Sequence, residues 1–103
     1  MKENNKFSVD WKFNAEDVIW NAEQVVGKLP IKYKEERQIY GDWVDVITYK
    51  DKEIFIKKEP QYHEYIQRTV GVINKYLPDK TKEFECSEID GDDLTFTLCS
   101  KTD

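Results

Sequence analysis

Residues 60–78, PQYHEYIQRTVGVINKYLP, decide how the rest of the chain is read. Tyr62, Tyr65, Ile66, Thr69, Ile73, Tyr76 and Leu77 fall at offsets 0, 3, 4, 7, 11, 14 and 15. That is the apolar stripe of an amphipathic helix, flanked by Val70 and Val72, with Glu64, Arg68, Gly71 and Lys75 opposite. Pro60 suits the first helical position, and Pro78 cannot continue the helix. A stripe of this width needs a second apolar layer to cover it.

The segments on both sides supply that layer. Upstream, Trp43 to Lys50 (WVDVITYK) is β-branched and aromatic, and reads as a strand. Trp43, Ile47 and Tyr49 share one side of it, and Val44, Val46 and Thr48 the other. Such a strand is either central or offers an aromatic patch. Ile54, Phe55 and Ile56 mark a further strand after a turn at Asp51-Lys52. Ile31, Tyr33 and Ile39 mark a half-exposed one that ends in Tyr40-Gly41-Asp42 turn chemistry. Downstream, Phe84 and Cys86, then Leu94, Phe96 and Leu98, alternate with polar residues around Asp90-Gly91-Asp92-Asp93, which predicts a hairpin.

A first helix is predicted over about Ala15 to Lys28, with Asn14 as its N-cap, Glu16 and Asp17 in its first turn and Pro30 as its stop. Alternation over Phe7 to Phe13 predicts a strand before it. The expected fold is α+β, ordered β-α-βββ-α-ββ. A mostly antiparallel sheet would carry both helices on one face, leaving the other face partly wet. The order also divides into two β-α-β-β units with matching points at Leu29-Pro30 and Leu77-Pro78, although the remaining residues align poorly.

The 103 residues predict one domain, ordered over about residues 6–99 and fraying at the C-terminal end. Charged residues are 36%, but fourteen aromatics argue against disorder. No apolar run approaches the roughly 20 residues of a membrane span, and Met1 to Asn5 shows no signal-peptide core. No membrane role is expected. Cys86 and Cys99 are expected to point to opposite faces of the hairpin, so two free thiols are predicted, with Cys86 buried and the chain in the cytoplasm.

Chemistry-bearing motifs are few. His63 begins an H-E-x-x-H pattern, but Gln67 stands where the second zinc ligand belongs. His63 is expected at the surface or boundary. The four glycines form no phosphate-binding loop, and Ser8, Ser87 and Ser100 no nucleophile elbow. Asp42 and Asp45 beside Trp43 look like a carboxylate pair but are expected to be solvated. Asp90-Gly91-Asp92-Asp93 lacks the later ligands of a calcium loop. No cofactor, metal or enzymatic activity is expected.

Charge is distributed unevenly. Through Pro78 there are 13 acids and 13 bases, whereas the tail has eight acids and three bases and so holds the whole net charge of −5. The basic group Lys50, Lys52, Lys57 and Lys58 alternates with acids, so direct nucleic-acid binding is not expected. An acidic edge steers toward basic protein surfaces, and aromatics anchor interfaces. The expected function is a small acidic module that neutralises or sequesters a protein partner, of immunity-protein or phage-inhibitor type. Trp20, Trp43, Tyr49, Glu88, Asp90, Asp92 and Asp93 are the expected contacts.

Element order suggests two further readings. From Asn14 to Cys99, α-βββ-α-ββ with an acidic charge resembles the secretion-chaperone fold. That resemblance implies a homodimer holding an effector protein. The β-α-βββ portion also resembles one module of the vicinal-oxygen-chelate fold, whose metal enzymes need strand histidines that this chain lacks. A small-ligand or enzyme site between helices and sheet would place Tyr62, Tyr65 and Tyr76 at its lining.

Overall fold

The computed structural model describes residues 5–10, 12–58 and 62–101. The elements are β1 (Lys6–Val9), α1 (Ala15–Val26), β2 (Ile31–Ile39), β3 (Asp42–Tyr49), β4 (Lys52–Lys57), α2 (Tyr62–Lys75), β5 (Lys82–Asp90) and β6 (Asp93–Ser100). This is the α+β class in the expected order. The first strand is shorter than its alternation suggests. Asp10 Oδ1 accepts the Lys12 amide at 2.8 Å, and its carbonyl accepts the Phe13 amide at 3.0 Å. A side-chain-closed turn outcompetes the ladder there. The expected roles of Trp11 and Pro60, and the fraying of the last two residues, lie outside the described residues.

Helix α1 begins in a full capping box. Asn14 Oδ1 accepts the Asp17 amide, and Asp17 returns the bond to the Asn14 amide, both at 3.1 Å. It ends two residues earlier than its periodicity predicts. Gly27, at φ +89°, turns the chain out while its amide still reaches the Glu23 carbonyl at 2.9 Å. In the β2–β3 turn, Tyr40 and Gly41 both take positive φ, the geometry that matches strand twist in a two-residue hairpin.

The strands divide into two three-stranded antiparallel sheets, ordered β1-β6-β5 and β2-β3-β4. This replaces the single sheet of the sequence reading. The cause lies in β2 and β5. Each has a register shift in mid-strand, between Tyr33 and Glu35 and between Cys86 and Glu88, and each is rich in charge. Bulged, charged strands end a sheet rather than extend it. Each helix spans the division: α1 packs on β1 and β2, and α2 on β4 and β5.

The result is a pseudo-two-fold arrangement of the two β-α-β-β units with exchanged first strands. β1 of the first unit pairs with β6 of the second, and β4 of the second pairs with β3 of the first. Val18, Ala22, Val25 and Leu29 recur 48 positions later as Ile66, Val70, Ile73 and Leu77. These positions line one shared core, which Phe7, Val9, Ile31, Ile47, Ile56, Phe84, Leu94 and Phe96 complete.

The outer faces are polar in different ways. On the first sheet, Ser8 and Thr95 hydroxyls meet at 2.9 Å, and Ser87 and Thr97 at 2.7 Å. On the second, Val44 and Val46 are buried without a covering helix. Arg37 reaches from β2 across β3 to Glu53 on β4 at 3.1 Å while also bonding Glu35, and Lys34 meets Glu53 at 2.7 Å. The stems of these side chains shield the valines, with the guanidinium 5.8 Å from the Phe55 ring.

Candidate partner-binding surface

Both helix N-termini, both long hairpins and the ends of β1 and β4 meet at one end of the molecule. The chain puts them there because each helix leaves a strand at that end and returns to the other sheet. Within it, Asp45 is fully buried rather than solvated. On β3 it faces Ile56 of β4, the place that Leu94 of β6 takes opposite Val9 of β1. A carboxylate thus stands where the matching half of the fold has leucine.

Asp45 survives burial because its surroundings are built for it. Its Oδ2 accepts the Tyr65 hydroxyl and, at 3.3 Å, the Ala15 amide in the first turn of α1. Tyr65 Oη in turn accepts the same amide at 2.8 Å. Among the described residues Oδ1 has no hydrogen-bond partner, but the Lys58 ammonium lies 3.7 Å away and also pairs with Glu36. The helix N-terminus adds favourable partial charge. Burial foremost, then the hydrogen bond and charge of Asp45, push the Tyr65 hydroxyl well above its ordinary value. Tyr33 is pushed up to about 12 by burial first, then by Asp45, Glu36 and Glu16. Asp45, fully enclosed, is a structural clamp joining β3 to both helices. Asp42, its expected companion, is exposed and 3.7 Å from Lys57.

Beside the clamp the surface is acidic. The Tyr62 hydroxyl donates to the Asp10 carbonyl. Burial is the main cause of its raised pKa, followed by Asp10, Asp93, Asp92 and Asp17. Four carboxylates, from the turn after β1, from α1 and from the β5–β6 tip, therefore act on one point. Asp10 and Asp93 line a small cleft of about 150 Å³ with Ser8, Val9 and Phe13. His63, at the boundary as expected, holds the tip in place through Nε2, 3.1 Å from the Gly91 carbonyl.

The predicted contacts are dispersed. Asp92 and Asp93 belong to this acidic end, and Asp90 lies beside them, directly opposite Asp93 across the ladder. Trp43, half exposed, is at the same end, since its carbonyl accepts the Lys58 amide at 3.1 Å and the fully exposed Tyr40 is in the adjoining turn. Glu88 is exposed farther along β5, opposite Thr95. Tyr49 is at the far end of β3, its ring 4.4 Å from that of Tyr76. Trp20, 59% exposed, stands on the outside of α1 beside a groove along β2.

Sequence reasoning missed Asp10 and Asp17, which only the fold brings to the tip, and it missed the clamp. The clamp had a signal: Asp45 interrupts the inward series Trp43, Ile47, Tyr49 on a central strand. Of the three tyrosines proposed for a ligand site, Tyr65 is occupied by Asp45, Tyr76 packs on Tyr49, and Tyr62 is bonded to Asp10. Cys86 and Cys99 are free, and Cys86 is half-buried at the core margin rather than fully buried. Among the described residues, no helix is long and apolar enough to cross a membrane. Comparisons with protein-family models, curated proteins and solved structures found no match to this chain.

Proposed function

We propose that the protein is a binding module that holds a protein partner through its acidic end, in the manner of an inhibitor or immunity protein. The observation that carries this reading is the gathering of Asp10, Asp17, Asp92 and Asp93 around Tyr62, at the same end of the molecule as the exposed Trp43 and Tyr40. Clustered charge of one sign speeds association with an oppositely charged surface, and exposed aromatics supply anchoring area. The Asp90–Asp93 pair supports it further. Like charges facing each other across a ladder destabilise a hairpin, and a basic partner would relieve that cost.

The partner chemistry this implies is a surface rich in lysine or arginine. The test is association kinetics with a partner isolated by capture on this chain. Replacing Asp90, Asp92 and Asp93 by alanine is expected to slow association and flatten its dependence on salt, leaving dissociation nearly unchanged. An unchanged rate and salt slope would overturn the proposal.

A further inference from the structure

A groove of about 280 Å³ runs between α1 and the edge strand β2, starting at the first turn of α1 and sharing no lining residue with the cleft at the β5–β6 tip. Glu16, Trp20 and Glu23 of α1 form one wall, one turn apart along the helix. Ile19, Leu29 and Ile31, all nearly fully buried, form the floor. Tyr33 closes one end, and Lys28 and Lys32 line the rim. The volume is just below the roughly 300–1,000 Å³ of small-molecule sites, which suits one long side chain better than a cofactor.

The charge of the groove has a direction. Glu16 and Tyr33 both line the groove, and Glu36 and Asp45 add negative charge felt at the Tyr33 phenol. Lys58 faces this group too, but its ammonium is engaged by Glu36 and Asp45. A cation in the groove is therefore drawn toward Glu16 and repelled by Lys28 and Lys32. The Trp20 indole offers a π face next to it, and a planar guanidinium stacks on such a face better than an ammonium. Among the described residues β2 pairs on one side only, with β3, and its regular stretch short of the bulge at Lys34, residues 31–33, is an edge.

We propose that this groove seats an arginine side chain from an extended segment of a basic protein partner, with the guanidinium stacked on Trp20 and directed at Glu16 and the Tyr33 hydroxyl. The inference rests on the reading of the chain as a partner-binding module and adds a second contact surface to it.

The probe is a capped pentapeptide, Ala-Val-Arg-Val-Ala, titrated into the ¹⁵N-labelled full chain and compared with the same peptide carrying citrulline. The arginine peptide is expected to shift the Trp20 indole N–H and the amides of residues 31–33, and to bind at least about tenfold more tightly than citrulline. Glu16→Gln and Trp20→Leu, both surface changes, should each remove most of that difference. Equal binding of the two peptides would overturn the proposal, as would shifts confined to Trp43, Asp92 and Asp93. Concentration-dependent shifts at Trp20 without peptide would also overturn it, because a second copy would then be the occupant. Partner capture by the acidic end is read on Asp92→Asn/Asp93→Asn, so failure of the groove and failure of the acidic end remain separate results.

Discussion

Replacing Asp45 by alanine tests the account of the buried clamp. The change removes a carboxylate that is fully enclosed and holds the Tyr65 hydroxyl, the Ala15 amide and the Lys58 ammonium. Tyr65 loses its acceptor, α1 loses an anion at its N-terminus, and Lys58 keeps Glu36 and its place over the Tyr65 ring. Losing two hydrogen bonds to a buried charged acceptor, at about 1.5–3 kcal/mol each, costs about 3–6 kcal/mol. For a chain of this size, each kcal/mol lowers Tm by about 4–8 °C. Asp45→Ala is therefore expected to lower Tm by more than about 12 °C, and to shift the urea midpoint by more than about 1 M at a slope of 1–3 kcal/mol/M. The replacement Asp45→Leu/Tyr65→Phe imitates the leucine in the matching half of the fold. It should cost less than the sum of its parts, with a coupling of at least about 1 kcal/mol. If Asp45→Ala unfolds within about 1 kcal/mol of the wild type, or if the two changes simply add, the clamp does not hold β3 to the helices.

Three further outcomes are expected. Asp93→Asn relieves the repulsion from Asp90 and should raise stability by about 0.2–1 kcal/mol in urea unfolding while slowing partner association. A loss of stability would refute that account of the tip. Burial foremost raises the pKa values of Tyr33, Tyr62 and Tyr65 in the folded state, so their contribution to stability is complete below the ordinary tyrosine value near 10 and falls as pH rises through about 12 for Tyr33. Ultraviolet titration should show these three ionising late or together with unfolding, and six tyrosines titrating together near 10 would contradict the burial described. Glu53 is held down to about 2 by its hydrogen bonds with Arg37 and Lys34. Its contribution is present above about 4.5 and is lost as pH falls through about 2, so Glu53→Gln should flatten acid unfolding across that window.

Periodicity made most of the architecture legible. The α2 stripe, the Asn14 cap and the alternation in the β5–β6 hairpin correspond to elements in the structure, because each is set by local spacing, whereas Pro30 does not stop α1, which closes earlier at Gly27. The division into two sheets was not legible, since it depends on bulges that depart from simple alternation. Asp10 closes a turn with its own side chain, which no period-two count registers. The tip acids could be read from linear charge, but Asp10 and Asp17 belong to a stretch with no net charge and meet the tip only through the exchange of first strands. Asp45 was misread as solvated because its type outweighed its position. Its inward register between Trp43 and Ile47 already placed it under α1.

Capture from a lysate of the source cell measures the central claim most directly. Wild type and Asp92→Asn/Asp93→Asn are immobilised side by side and eluted with increasing salt. One basic protein is expected to be retained by the wild type, released by moderate salt, and largely lost from the variant. An identical set of proteins on both, or retention indifferent to salt, would contradict the assignment of partner binding to this end of the molecule.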